Sequence, residues 1–376
     1  LPTSCVVDFT EGYTVTLNAT NGTVTAPVSK TIGRSGTATF TVTPNDGYKA
    51  ELETNTCGGT LSGNTYTISN ITSNKTCSIA FKKNGTSLAT LIQTNAINEN
   101  GYRYEGANPN NYIYMVKNGS NELWRIVGLF PDGVNGGNVI RVRKVGYEEG
   151  AYDEGGHTTA YFNNTTKTNN KLLAYNDAIS NKNYIAVADP CFYCVNHWPK
   201  TTLYTTLSST YSTTNYKNTV NYKIYLGTSS SYDTLTADEW YTAERGSTPG
   251  YSSSTSYNSI TTFEGSVGLM YPSDYGYAVL TSDCARTIKL SIGGYNNTAT
   301  CYTNNWLYQG SSTSQLLISP YSSHENGAFI VSSGSVYSTF GGGGVSASSS
   351  YSPVMALKAD VVVTGSGTNS DPYVMQ

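Results

Sequence analysis

Seven cysteines, three histidines and a thin scatter of carboxylates are the residues in this chain whose types could support covalent or metal chemistry. Six of the cysteines fall into local pairs. Cys57 with Cys77, and Cys284 with Cys301, each bracket a stretch that a disulfide can close, stabilising by roughly 3 kcal/mol apiece on a chain-entropy estimate. Cys191 and Cys194, in Cys191-Phe192-Tyr193-Cys194 with His197 close behind, admit a disulfide, a redox pair or half of a zinc site. The preceding Asp189-Pro190 favours a loop over the helix N-terminus that a redox cysteine uses. A zinc site needs a second ligand pair, and no other cysteines have metal-ligand spacing. A simple disulfide is the expectation, with no cofactor. Cys5 is left over, either buried and free or linked to another molecule.

Nucleophilic chemistry finds less support. Serine is abundant enough that a Ser near a His and an Asp carries no information, and no Gly-x-Ser-x-Gly lies between a strand and a helix pattern. Gly334-Ser335 and Gly365-Ser366-Gly367 are turn signals, and the run Gly341 to Gly344 lacks the Lys-Ser/Thr of a phosphate loop. Asp153 with Glu154, and Asp238 with Glu239, are adjacent and point apart, unlike a glycosidase pair. The chain is not expected to be an enzyme. Clustered aromatics carry more weight: Tyr271, Tyr275 and Tyr277 around Asp274, with Trp306 and Tyr308 further on. Such rings suit a glycan-binding platform, half-buried packing or a subunit interface equally well.

The elements that must position these groups are mainly strands. From Tyr13 to Lys82 apolar and polar residues alternate in short runs, Tyr13-Val15-Leu17, Ala38-Phe40-Val42 and Cys77-Ile79-Phe81. Asn21-Gly22, Asn45-Asp46-Gly47 and Ser62-Gly63-Asn64 punctuate them as turns. The pattern predicts a small antiparallel β-module over residues 1–84. Helical spacing begins at Leu88, Leu91 and Ile92, so a large α+β domain, irregular and rich in loops, is expected over 85–376. Its strands are expected near Tyr112 to Val116, Trp124 to Leu129 and Val139 to Val142. Helices are expected near Asn170 to Ile179, Thr202 to Tyr211 and Thr236 to Arg245.

The stretch "YTVTLNATNGTVTAPVSKTIGRSGTATFTVTPNDGYKAE" followed by "NTYTISNITSNKTCSIAFK" resembles the internalin-like repeats of Gram-positive surface proteins, over about the first 84 residues. That resemblance implies a stalk or spacer module and brings no catalytic residue. "GYRYEGANPNNYIYM", "NELWRIVGLF", "VGLMYPSDYGYA" and "PVMALKADVVVTGSGTNSDPY" resemble an uncharacterised family of Gram-positive surface proteins across most of 100–376. The "LWRI" and "PVMAL" strands are also distantly similar to C-type-lectin and formylglycine-generating-enzyme folds. Ser352-Pro353 stands where that likeness would place an arginine.

Composition bounds the partners. Charged residues are 12% of the chain, about half the usual share, and the formal charge is only -3. No basic field exists to attract nucleic acid, and no apolar stretch reaches the roughly 18 residues needed to enter a membrane. Paired cysteines and a Ser/Thr/Asn/Tyr-rich surface point to an extracellular, cell-surface setting, and the start at Leu1 to a processed chain. Cys5-Val6-Val7-Asp8-Phe9 repeats the Cys-x-x-x-Phe of Cys77 to Phe81, so it reads as the closing strand of a preceding copy or as the first strand of this module. The first alternative leads to the principal expectation: a structural subunit that self-assembles into filaments or arrays by docking Cys5, Val6, Val7 and Phe9 onto other copies of itself. The second expectation is a monomeric glycan-binding adhesin that uses Tyr271, Asp274, Tyr275, Tyr277 and Trp306.

Overall fold

The computed structural model describes residues 12–146, 160–161, 198–200, 202–229, 231–248, 261–310, 314–321, 328–338 and 348–376. The fold is mainly β, with 26 strand segments and five α-helices among the described residues. The chain divides into two compact units. One comprises Leu1–Thr86 with Val362–Thr364 and Gln376; the other comprises Ser87–Val361 with Gly365–Met375. A boundary drawn along the sequence does not anticipate that a piece of the C-terminal tail belongs with the N-terminal unit.

In the smaller unit the strands are β1 (Gly12–Thr20), β2 (Gly22–Val24), β3 (Ser29–Gly33), β4 (Gly36–Pro44), β5 (Tyr48–Asn55), β6 (Thr60–Ser62), β7 (Thr65–Ile71) and β8 (Lys75–Lys83). They form two four-stranded sheets, ordered β3-β1-β8-β5 and β2-β4-β7-β6. Alternation sends one face of each inward. Val15 and Leu17, Ala38, Phe40 and Val42, Tyr66, Ile68 and Ile71, and Cys77, Ile79 and Phe81 form one buried cluster. The turn signals act as expected: Asn21 and Gly47 take φ of +61° and +83°, which short polar side chains and glycine tolerate. The module is not wholly antiparallel. β1 runs parallel to β8, pairing Leu17 with Cys77, while β5 pairs antiparallel with β8. Parallel neighbours need a long crossover, and here everything between the first and last strands supplies it. A disulfide joins Cys57 to Cys77 at a Cα separation of 5.4 Å.

The larger unit is organised by a sheet whose order is Thr219–Val220, Val354–Lys358, Val139–Lys144, Ser120–Phe130, Tyr112–Lys117 and Tyr373–Met375. All neighbours are antiparallel except the last pair, where Ile113 lies beside Tyr373 in parallel register. Val139–Lys144 is buried almost throughout, which explains its continuous apolar run broken only by arginines. Tyr102–Arg103 pairs with the end of Ser120–Phe130, and a three-stranded meander spans Gln315–Pro320, Ala328–Ser332 and Ser335–Ser338.

The helices are short: Leu88–Asn95, Thr202–Thr210, Ala237–Glu244, Pro272–Tyr277 and Ala299–Thr303. Ala237–Glu244 begins where the sequence signals it, with Thr236 and Glu239 forming a reciprocal capping box. Cys284 and Cys301 are joined, closing the turn that leads into Ala299–Thr303. The helix expected over Asn170 to Ile179, together with Cys191, Cys194 and His197, lies outside the described residues, as do Cys5, Val6, Val7 and Phe9.

Phe81 tests the packing of the smaller unit. It is fully buried, and its ring and the Thr43 carbonyl fill the space where a Cβ on Gly22 would stand. Phe81→Ala is expected to lower stability by about 3–5 kcal/mol in urea unfolding. Gly22→Ala is expected to destabilise as well, because neither the ring nor the carbonyl can withdraw.

Candidate functional site

The larger unit places an unusual share of its few charges in its interior. Pro272 occupies the first turn of Pro272–Tyr277, and Asp274 accepts from the Tyr271 N–H at 3.1 Å, which fixes the carboxylate at the helix start. Two strands then supply the cations. Arg103 donates to Asp274 Oδ1 at 2.7 Å, and Arg141 donates to both oxygens, at 2.7 and 3.1 Å. The side chains of Asp274 and Arg141 are 0% exposed and that of Arg103 is 2%. Phe130 lies under both guanidinium groups, 3.7 Å from Arg141 and 4.6 Å from Arg103, ring centroid to Cζ.

The network continues outward. Asp132 sits 3.6 Å from Arg141 Nε and 3.4 Å from Arg245 Nη2, and Arg245 Nη1 lies 3.5 Å from Glu244. Glu244 is itself buried and accepts from the Ser273 N–H at 2.8 Å and hydroxyl at 2.6 Å. Arginines 103, 141 and 245 thus face carboxyl groups 132, 244 and 274. Burial would raise the Asp274 pKa, but Arg141 and Arg103 outweigh it and hold the carboxyl below its ordinary value. Glu244 shows the opposite balance: burial pushes it up to about 7 against the pull of Arg245 and Ser273.

This arrangement corrects the glycan platform expected at Tyr271, Asp274, Tyr275, Tyr277 and Trp306. All are buried, with exposures of 1%, 2%, 0%, 3% and 5%. The physical reason is that every position of Pro272–Tyr277 faces the interior, so the polar edges of the rings serve the fold. Tyr271 accepts from the Tyr225 N–H, Tyr275 donates to the Gly334 carbonyl, and Trp306 donates to the Tyr104 carbonyl. Tyr277 takes the Asn100 amide at 2.9 Å. Of the readings the cluster allowed, packing is the one the larger unit adopts.

The same unit has a concave feature elsewhere. A groove of ≈ 430 Å³ is lined by Asn95, Ile97, Tyr104, Glu105, Pro109, Asn110, Leu280, Ser366 and Tyr373. Tyr104 and Glu105 follow directly on the strand Tyr102–Arg103, and Tyr373 opens the strand Tyr373–Met375. Trp306, anchored to the Tyr104 carbonyl, ties the Tyr104 backbone down. Gly367 lets the C-terminal loop close on the groove: a Cβ there would strike the Tyr373 ring and the Asn110 carbonyl, and its φ is +75°. Glu105 accepts from Arg286 Nη2 at 2.9 Å, while Arg286 Nε holds Glu99 at 2.7 Å. Burial raises the Glu105 pKa, opposed by Arg286. Burial likewise lifts the Tyr104 phenol well above its usual range, with the Tyr373 phenol beside it adding to the effect. Leu280 stays 39% exposed at the rim.

Sequence reasoning missed Arg103, Arg141, Glu105 and Tyr373. One signal was available: in a chain so poor in charge, Arg141 and Arg143 alternate within the apolar strand Val139–Lys144, and an arginine there must find a buried partner. Among the described residues, no group of His, Cys, Asp or Glu is arranged to hold a metal ion.

Two outcomes follow from the network. Asp274→Asn leaves two buried guanidinium groups without their shared carboxylate and is expected to cost about 3–5 kcal/mol in denaturant unfolding. Glu244 binds its proton more tightly in the folded protein than its ordinary value of 4.5 allows. Its contribution to stability is therefore complete below about pH 4.5 and lost as pH rises through about 7. The urea midpoint of the protein should fall across that window, and the part of the fall due to Glu244 should vanish in Glu244→Gln. An identical pH slope in both proteins would contradict this assignment.

No family model, curated protein or solved structure matches the chain, so the reading of this site rests on its own geometry.

Proposed function

We propose that this chain is an extracellular bacterial surface protein of the binding type, whose larger unit holds a saccharide in the groove lined by Asn95, Glu105 and Asn110. The groove is the observation that carries the reading. Its ≈ 430 Å³ falls within the range of small-ligand sites, and it combines a carboxylate held in place by Arg286, the side-chain amides of Asn95 and Asn110, and the exposed Leu280 at its rim. Sugars present both apolar C–H faces and hydroxyls. The exposed Leu280 side chain offers an apolar contact, while amides donate to and accept from hydroxyls and the carboxylate accepts from them. Two disulfides and a weakly charged, polar composition suit an oxidising exterior. No helix among the described residues is long and apolar enough to cross a membrane.

Self-assembly is the second reading, favoured by the place of β8 in the smaller unit. Cys77, Ile79 and Phe81 point into the core from a strand flanked on both sides, by β1 and β5. Cys5, Val7 and Phe9 repeat that alternating triad, so they have the composition of a strand with one face made for a core. In this reading a neighbouring copy provides the flanks, with Val6 in the same segment and Cys5 available for a covalent link. Deletion of residues 1–12 should abolish oligomers seen by electron microscopy. Filaments that persist undiminished would remove the idea.

For the binding reading, the full chain should retain at least one saccharide on a glycan array. Asn110→Ala and Glu105→Gln, which remove an exposed amide and a charge from the lining, should each weaken calorimetric affinity by roughly three- to tenfold. Unchanged affinity in both variants would place the ligand elsewhere.

A further inference from the structure

Glu105 narrows the class of sugar, a step that rests on the saccharide reading. The residues that line the groove include no lysine, arginine or histidine, and Glu105 is their one carboxylate. Its side chain is 16% exposed, and Oε2 accepts from Arg286 Nη2 at 2.9 Å. Oε1 accepts from nothing among the described residues, yet it is not one of the atoms sealed from solvent. The carboxylate is therefore fixed through one oxygen and open through the other.

Arg286 does not answer the whole of that charge. Its Nε donates to Glu99 at 2.7 Å and its Nη1 to the Val279 carbonyl at 3.0 Å, so a single guanidinium is shared between two carboxylates. Burial raises the Glu105 pKa and the Glu99 charge adds to the rise, against the pull of Arg286. A carboxylate in that state gains from a second cation. The flanks of the groove point the same way. Ser366, which also lines it, donates its N–H to Asp371 at 2.9 Å, so the C-terminal loop brings a further carboxylate. Arg125 is the other guanidinium close by; it holds the Pro109 carbonyl while enclosed by the rings of Tyr112 and Trp306, and it is not part of the lining. Carboxylates 99, 105 and 371 thus stand against guanidinium groups 125 and 286, an excess of one negative charge. Asn95 and Asn110 add amide oxygens to the same lining, which accept hydrogen bonds from a cationic donor as readily as from a hydroxyl.

We infer that the groove selects an amino sugar with a free amine, whose ammonium group is received by Glu105 Oε1 while its hydroxyls meet the amides of Asn95 and Asn110. Such a ligand supplies the second cation that Glu105 lacks, and the exposed Leu280 at the rim takes an apolar side of the sugar ring. Charge-assisted hydrogen bonds are roughly twice as strong as neutral ones, so Glu105 sets the preference for the amine over a hydroxyl at the same place.

Calorimetry on the full chain would compare a tetramer of glucosamine with cellotetraose, which has the same linkage and a hydroxyl in place of each amine, at a pH that keeps the amines protonated and Glu105 ionised. The amino form should bind roughly fivefold tighter or more, and the advantage should shrink as salt rises. Glu105→Gln keeps the shape of the side chain and removes its charge, so it should erase the preference. Glu99→Gln leaves Arg286 to Glu105 alone and should reduce the preference without abolishing it, although Glu99 does not line the groove. Should Glu105→Gln fail to fold, Glu105→Asp serves instead, retaining the charge with a shorter reach, with a smaller preference expected. Equal binding of the two tetramers by the wild-type chain, or a preference that survives Glu105→Gln undiminished, would overturn the inference and leave the saccharide reading standing. Absence of binding to every saccharide would overturn that reading itself.

Discussion

The carboxylate of Asp274, held between Arg103 and Arg141, is the contact on which the larger unit turns. Removing any of these charges from water is expensive, and the cost is met only because each group finds several partners at close range. Arg141 reaches Asp274 with two nitrogens and has Asp132 at its third; Arg103 adds the Glu99 carbonyl at 2.9 Å. The consequence is positional. Arg103, Arg141 and Asp274 come from a two-residue strand paired on both sides, a central strand and a six-residue helix, and a shift of any one of them would strand a charge. In a unit with short helices and long connections, such an all-or-none requirement selects one packing among many that apolar residues alone would permit.

The groove depends on that framework. Arg103 directly precedes Tyr104 and Glu105, so the ion pair to Asp274 fixes the backbone from which the groove rises. Trp306 holds the Tyr104 carbonyl and stacks against Arg125, which in turn holds the Pro109 wall. Few of these groups are long and loose at the point of contact. A groove supported in this way has walls that are already fixed, so little conformational entropy is left in them to lose.

Much of the β architecture was legible in the residues, because alternation is a local property. Val15-Leu17, Phe40-Val42 and Ile79-Phe81 point inward as their spacing requires, and a helix expected near Thr236 to Arg245 runs over Ala237–Glu244. The parallel pairing of β1 with β8 was not legible, since both strands read alike whichever direction their neighbour runs. The interior ion pairs were hidden for a related reason. Arg103 and Arg141 meet a partner 171 and 133 positions away, and nothing near either arginine names Asp274.

Asp274 and its tyrosines illustrate how composition can indicate that a segment matters without indicating why. Tyrosine and tryptophan gather wherever a flat ring and one polar atom must be satisfied together, and the interior of this unit meets that need as well as a sugar does. What separates the two cases is whether the polar edge is already occupied. Tyr271, Tyr275 and Trp306 have theirs bound to backbone groups, which leaves nothing for a ligand.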